Sequence, residues 1–68
     1  MKRRDLEILV EDLIKEAGLE IDYRHGANHD KYIVNGKPVP IPRHREIGEQ
    51  LAKVIVKQTK KAIGGDNA

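Results

Sequence analysis

His29-Asp30-Lys31-Tyr32-Ile33-Val34-Asn35-Gly36-Lys37-Pro38-Val39-Pro40-Ile41-Pro42 is the stretch on which the fold turns. Asn35-Gly36 between two apolar runs is a strong hairpin signal, because both residues tolerate positive φ. A strand at about Asp30 to Val34 and another from Pro38 to Pro42 are therefore expected as antiparallel neighbours. Proline in a sheet centre would delete ladder donors, but Pro38, Pro40 and Pro42 are spaced by two, so their missing N–H groups fall along one edge, which must face solvent. The N–H groups of Val39 and Ile41 then point at the preceding strand, and their side chains alternate toward the core. On that preceding strand Tyr32 and Val34 face the core, which puts His29 and Lys31 together on the opposite face.

Upstream, Leu6, Leu9, Val10, Leu13, Ile14 and Ala17 recur at helical spacing, with Asp5 as the expected N-cap and Gly18 as the stop. Leu19, Ile21 and Tyr23 then alternate with Glu20, Asp22 and Arg24, the pattern of a half-buried strand that His25-Gly26-Ala27-Asn28 breaks. Downstream, a long helix is expected from about Arg45 to Ile63. Its core arc is expected to hold Ile47, Leu51, Val54, Ile55 and Ala62, and its basic flank Lys53, Lys57, Lys60 and Lys61. Ile8 lies opposite the first helix's stripe, and Val56 and Ile63 fall outside the second helix's arc with Ala52 between core and surface; Ala52, Val56 and Ile63 could form a partner groove. Gly64-Gly65 is the expected helix end and residues 66–68 a tail. The order αβββα predicts an α+β two-layer sandwich: a three-stranded antiparallel sheet with both helices on one face.

Sixty-eight residues make a single domain, 1–68. With no Phe, no Trp and two Tyr, the core must come from Ile, Leu and Val, which excludes a large buried active-site cavity or a dinucleotide fold. The absence of cysteine excludes a disulfide scaffold, a thiolate zinc site and a cysteine nucleophile, and suits a reducing cytoplasm. Neither a membrane span nor a leader is expected, so the chain reads as soluble and cytoplasmic. The net charge of +2 is unevenly spread: residues 5–17 carry five acids and one base, residues 43–61 six bases and two acids. Such a chain can offer its basic surface to a polyanion.

Three histidines, His25, His29 and His44, supply the side chain whose ordinary pKa suits proton transfer near neutral pH. Most surface histidines do no chemistry, but His29 stands where a Gly-containing loop enters a strand, a rigidly supported place that often carries function. Beside Lys31 it makes sense for phosphodiester chemistry: the imidazole moves a proton while the cation stabilises charge building on phosphate. His25 and His29, with Asp22 and Asp30 nearby, raise the question of a metal, but Gly26 and Asn28 between the histidines indicate a turn rather than a helical ligand pair, and no metal site is expected. Gly26 itself reads as a residue that permits positive φ. Arg43, His44 and Arg45 gather before the second helix, either as a phosphate corner at its positive dipole end or as a solvated helix start. Joined to Lys53, Lys57, Lys60 and Lys61 they make one basic stripe suited to phosphates. The near absence of aromatics argues against base-stacking platforms, so recognition should lean on backbone and shape.

Gly26-Ala27-Asn28-His29-Asp30-Lys31-Tyr32, Asn35-Gly36-Lys37 and Val39-Pro40-Ile41-Pro42-Arg43-His44-Arg45-Glu46-Ile47 together resemble the HicA family of type II toxin-antitoxin toxins. The resemblance runs from the first helix to Gln58. It implies a double-stranded-RNA-binding-domain-like fold and an mRNA interferase, an endoribonuclease that cuts mRNA without a metal and is inhibited by a HicB-like antitoxin. The family's catalytic histidine matches His29, preceded here by Asn28 where the family has a small hydroxyl residue; Asn can also hydrogen-bond a phosphate. His29 is thus expected as general acid or base and Lys31 as electrostatic helper. Asn28, Arg43, His44, Arg45 and the four lysines are the expected RNA contacts, with no cofactor and no membrane partner. Attack of a 2′-OH on the adjacent phosphate needs both proton removal and leaving-group protonation, and the sequence leaves the second proton carrier open. Two other readings stand beside this one: an inert RNA-binding module of the same fold, and an interaction protein whose basic stripe docks an acidic partner.

Overall fold

The computed structural model describes residues 1–64; the expected tail at 66–68 lies outside them. The element order is α1 (Arg3–Glu16), β1 (Tyr23–His25), β2 (Asp30–Val34), β3 (Lys37–Ile41) and α2 (Glu49–Gly64). The sheet is antiparallel throughout, in the order β1-β2-β3. It is the αβββα two-layer arrangement read from the sequence. Leu6, Val10 and Ile14 of α1 and Ala52, Ile55 and Ala62 of α2 share one core with Tyr32, Val34, Val39 and Ile41 of the sheet.

The central hairpin is as expected. Asn35 and Gly36 have φ of 53° and 80°, the pair of positive angles that a type I′ turn requires, and Val34 pairs with Lys37 across it. Tyr32 faces Val39 and Asp30 faces Ile41, so Asp30, Tyr32 and Val34 of β2 and Val39 and Ile41 of β3 enter the core. β3 is an edge strand, the position in a sheet that its prolines allow. The Tyr32 ring is fully buried and its hydroxyl donates to Glu11 Oε2 at 2.6 Å, tying β2 to α1. Burial, then that bond to Glu11, pushes the phenol far above its usual range.

The first strand is shorter than the alternation of residues 19–24 suggests. With Tyr23 opposite Tyr32, residues 19 and 20 would need partners at Gly36 and Asn35, where the chain is already turning. Leu19 closes α1 instead: its N–H and that of Gly18 donate to Ile14 and Lys15, a Schellman stop with Gly18 at φ 77°. Asp5 does not cap α1; it lies in the first turn, and Lys2 is the N-cap without a side-chain bond. The backbone does that work, since the N–H of Arg3 donates to the carbonyl of Arg45 and Ile47 N–H to the carbonyl of Met1. Lys2 and Glu46 form an antiparallel bridge between these bonds.

That bridge also accounts for the later start of α2. Residues 45–47 are tied to the N-terminus by these bonds, and the helix begins only after Gly48, whose carbonyl accepts from Ala52 N–H. Ile47 is buried from this loop rather than from the helix. The face of α2 is rotated accordingly: Ala52, Ile55, Thr59 and Ala62 are buried, while Leu51 and Val54 are 44% and 49% exposed. Thr59 enters the core because its hydroxyl donates back to Ile55 O at 2.8 Å. Val56 and Ile63 pack against the core margin; of the groove expected from Ala52, Val56 and Ile63, the first two line a depression between α2 and α1 and Ile63 is not part of its lining.

Candidate active site

The β1–β2 connection is a tight turn, because His25 pairs with Asp30 and leaves Gly26 to His29 to reverse the chain. Gly26 N–H donates to His29 O at 2.9 Å. A Cβ on Gly26 would lie 2.6 Å from that same oxygen, so glycine is required here by close backbone approach. Its φ is not in the positive region, contrary to the expectation from sequence.

His29 is exposed at the end of this turn, where two clefts meet. One, of about 460 Å³, lies on the open face of the sheet and is lined by Asn28, His29, Lys31, Pro38 and Pro40. The imidazole and ammonium expected to stand side by side thus share one depression. The other, of about 550 Å³, runs between the edge of β3 and α2, where His44 and Arg43 join Asn28 and His29 above Leu51, Val54 and Gln58. The two leucine and valine side chains that α2 leaves exposed are therefore the apolar wall of this cleft.

Beneath His29 lies a group whose role the sequence did not reveal. Asp30 is 2% exposed and faces inward in the same register as Tyr32 and Val34. It accepts from Arg3 Nη2 at 2.6 Å, from Arg43 Nε at 3.2 Å and from Arg43 Nη2 at 3.0 Å, and His25 Nδ1 lies 2.7 Å from Oδ1. Hydrogen bonding from Tyr23, then from Arg43 and Arg3, holds its carboxyl well below the usual carboxylate range. The signal was present: a carboxylate at a core-facing strand position must be paired, and arginines are the usual partners.

The other expected RNA contacts are dispersed. Arg43 turns inward, donating to Asp30, to Ala27 O at 3.2 Å and to Gly26 O. Arg45 lines another depression with Lys2, Arg3 and Arg4, which Arg43 borders as well. Lys53, Lys57 and Lys60 border the groove between α2 and α1, beside Met1, Leu9 and Val56, and Lys61 stands near Lys37 and Pro38. The phosphate corner expected at the start of α2 does not form as drawn, because Arg43 to Arg45 precede the first helical turn by several residues. Among the described residues no three His, Asp or Glu side chains come together as a metal site would require.

No family model matches the chain, and no solved structure matches it significantly. Over 47 residues, 66% of this chain and 78% of the relative, it is 45% identical to "Probable mRNA interferase HicA 2" of Photorhabdus laumondii subsp. laumondii. At that identity over so much of the relative's length, the chain belongs to the HicA family of mRNA interferases.

Proposed function

We propose that the protein is an endoribonuclease that cleaves mRNA in the cytoplasm, with His29 as its proton-transfer group, and that a HicB-like antitoxin holds it inactive. The observation that carries this reading is the place of His29: exposed, at the meeting point of two clefts, on a turn fixed by its own hydrogen bond and with Lys31 in the same depression. A strand of RNA lying over the edge of β3 brings a phosphate to this rim. His29 then takes the proton from a 2′-OH or gives one to the departing oxygen, and Lys31 stabilises the charge that builds on phosphorus-bound oxygen. Asn28 and His44 contact phosphate from the two sides of His29, and the lysines of α2 add affinity without sequence information.

The chemistry proposed needs no metal. Purified protein incubated with a radiolabelled single-stranded RNA should cut it at the same rate with and without EDTA. Cleavage that stops in EDTA and returns with Mg²⁺ or Mn²⁺ would replace the histidine mechanism by a metal-assisted one. Binding without cleavage would reduce the protein to an RNA-binding module.

A further inference from the structure

Arg43 is better accounted for by the turn that carries His29 than by RNA. Its guanidinium donates to Asp30 through Nε and Nη2, and to the carbonyls of Ala27 and Gly26 through Nη1 and Nη2. Nη2 also lies 3.4 Å from His25 Nε2. These bonds turn four of the guanidinium's five N–H donors toward the protein and leave one on Nη1, so Arg43 has no bidentate fork to offer a phosphate. Asp30, which follows His29 directly, is anchored in turn by Arg3 of α1 and is almost wholly buried. Arg43 therefore holds both flanks of the turn, the carbonyls of residues 26 and 27 before His29 and the carboxylate of residue 30 after it. Between those flanks the backbone has no slack, because Gly26 and His29 are already in contact.

We propose that Asp30 and Arg43 are positioning residues for His29: they clamp the turn at residues 26–29 from the segment that follows β3 and fix where the imidazole stands. The inference rests on the reading of His29 as the proton-transfer group. It gives Arg43 a role in turnover rather than in RNA affinity. A lysine would retain the charge that a phosphate contact needs, but its single ammonium cannot span two carbonyls and a carboxylate.

Arg43→Lys and Asp30→Asn in the full chain, measured for cleavage of a labelled RNA across RNA and salt concentrations and for hydrogen exchange at the Gly26 amide, test this. A misplaced catalytic group costs on the order of 10²-fold, so Arg43→Lys should lower kcat by roughly 10- to 100-fold. KM and the salt dependence of binding should stay near parental, and the Gly26 amide should exchange faster. The double variant should be little worse than the poorer single one, since the two side chains act as one unit. If Asp30→Asn does not fold, Arg43→Lys, at a partly exposed position, decides alone. An Arg43→Lys protein that is parental in kcat, or whose Gly26 amide exchanges at the parental rate, overturns the proposal. The exchange readout does not depend on catalysis: were His29→Ala still to cleave RNA, the choice of His29 would fail while the exchange result still ruled on the clamp.

Discussion

Asp30 and His29 are neighbours in the chain with opposite fates, one sealed against the core and the other exposed at the cleft rim. Strand alternation sends them to opposite faces, so the charged network under the sheet end supports the group above it. Because bonds from Tyr23, Arg43 and Arg3 depress the Asp30 pKa in the folded state, its contribution to stability is present above the unfolded value, about 3.9, and is lost as the pH falls below it. The Tm gap between parent and Asp30→Asn should therefore be widest near neutral pH and should narrow steadily as the pH drops through 4, read by thermal melts across a pH series. A gap that is constant with pH would mean that the aspartate's charge does not stabilise the fold. His29 and Lys31 could be placed from sequence because both follow from alternation along one strand. The Arg43 contacts could not, since they join residues 13 to 17 positions apart through a loop whose path depends on the N-terminal bridge.

Among the elements, β2, β3 and the turn between them were legible nearly to the residue, because Asn-Gly and alternating prolines each allow few conformations. α2 was legible as a helix but not in its facing. Leu51 and Val54 outrank Ala52 and Thr59 on any hydropathy scale, yet the close approach of α2 to the core selects the small and the back-bonded side chains. That rotation places the lysines too: Lys53, Lys57 and Lys60 lie beside α1, while Leu51, Val54 and Gln58 face the His29 cleft. Charge at this distance can raise the affinity for RNA but not the rate of the chemical step. Replacing Lys53, Lys57 and Lys60 together by Glu should raise KM and flatten the dependence of log K on log salt, each lost single-strand phosphate contact removing about 0.7 from the slope. The kcat at saturating RNA should remain parental. Unchanged binding across the salt series would make this flank a solvated surface only.

At the scale of the molecule, two layers share one small core, and truncating any of Leu6, Ile14 or Ile41 to Ala is expected to remove about 2–5 kcal/mol from a total of roughly 5–15. A domain of this size has no room for an enclosed active site; its chemistry has to stand at the surface, where a change need not disturb the fold. His29 meets that condition, which makes the central claim separable from stability. The direct test is His29→Ala, expressed without antitoxin and followed by growth, with RNA cleavage and thermal melting measured on the purified protein. The account predicts loss of growth arrest and a fall in cleavage of about 10²- to 10⁴-fold. The melt should move by no more than an exposed substitution's roughly 0.5 kcal/mol. A folded His29→Ala protein that cuts RNA at the parental rate would contradict it and turn attention to His44, the second imidazole in the same cleft.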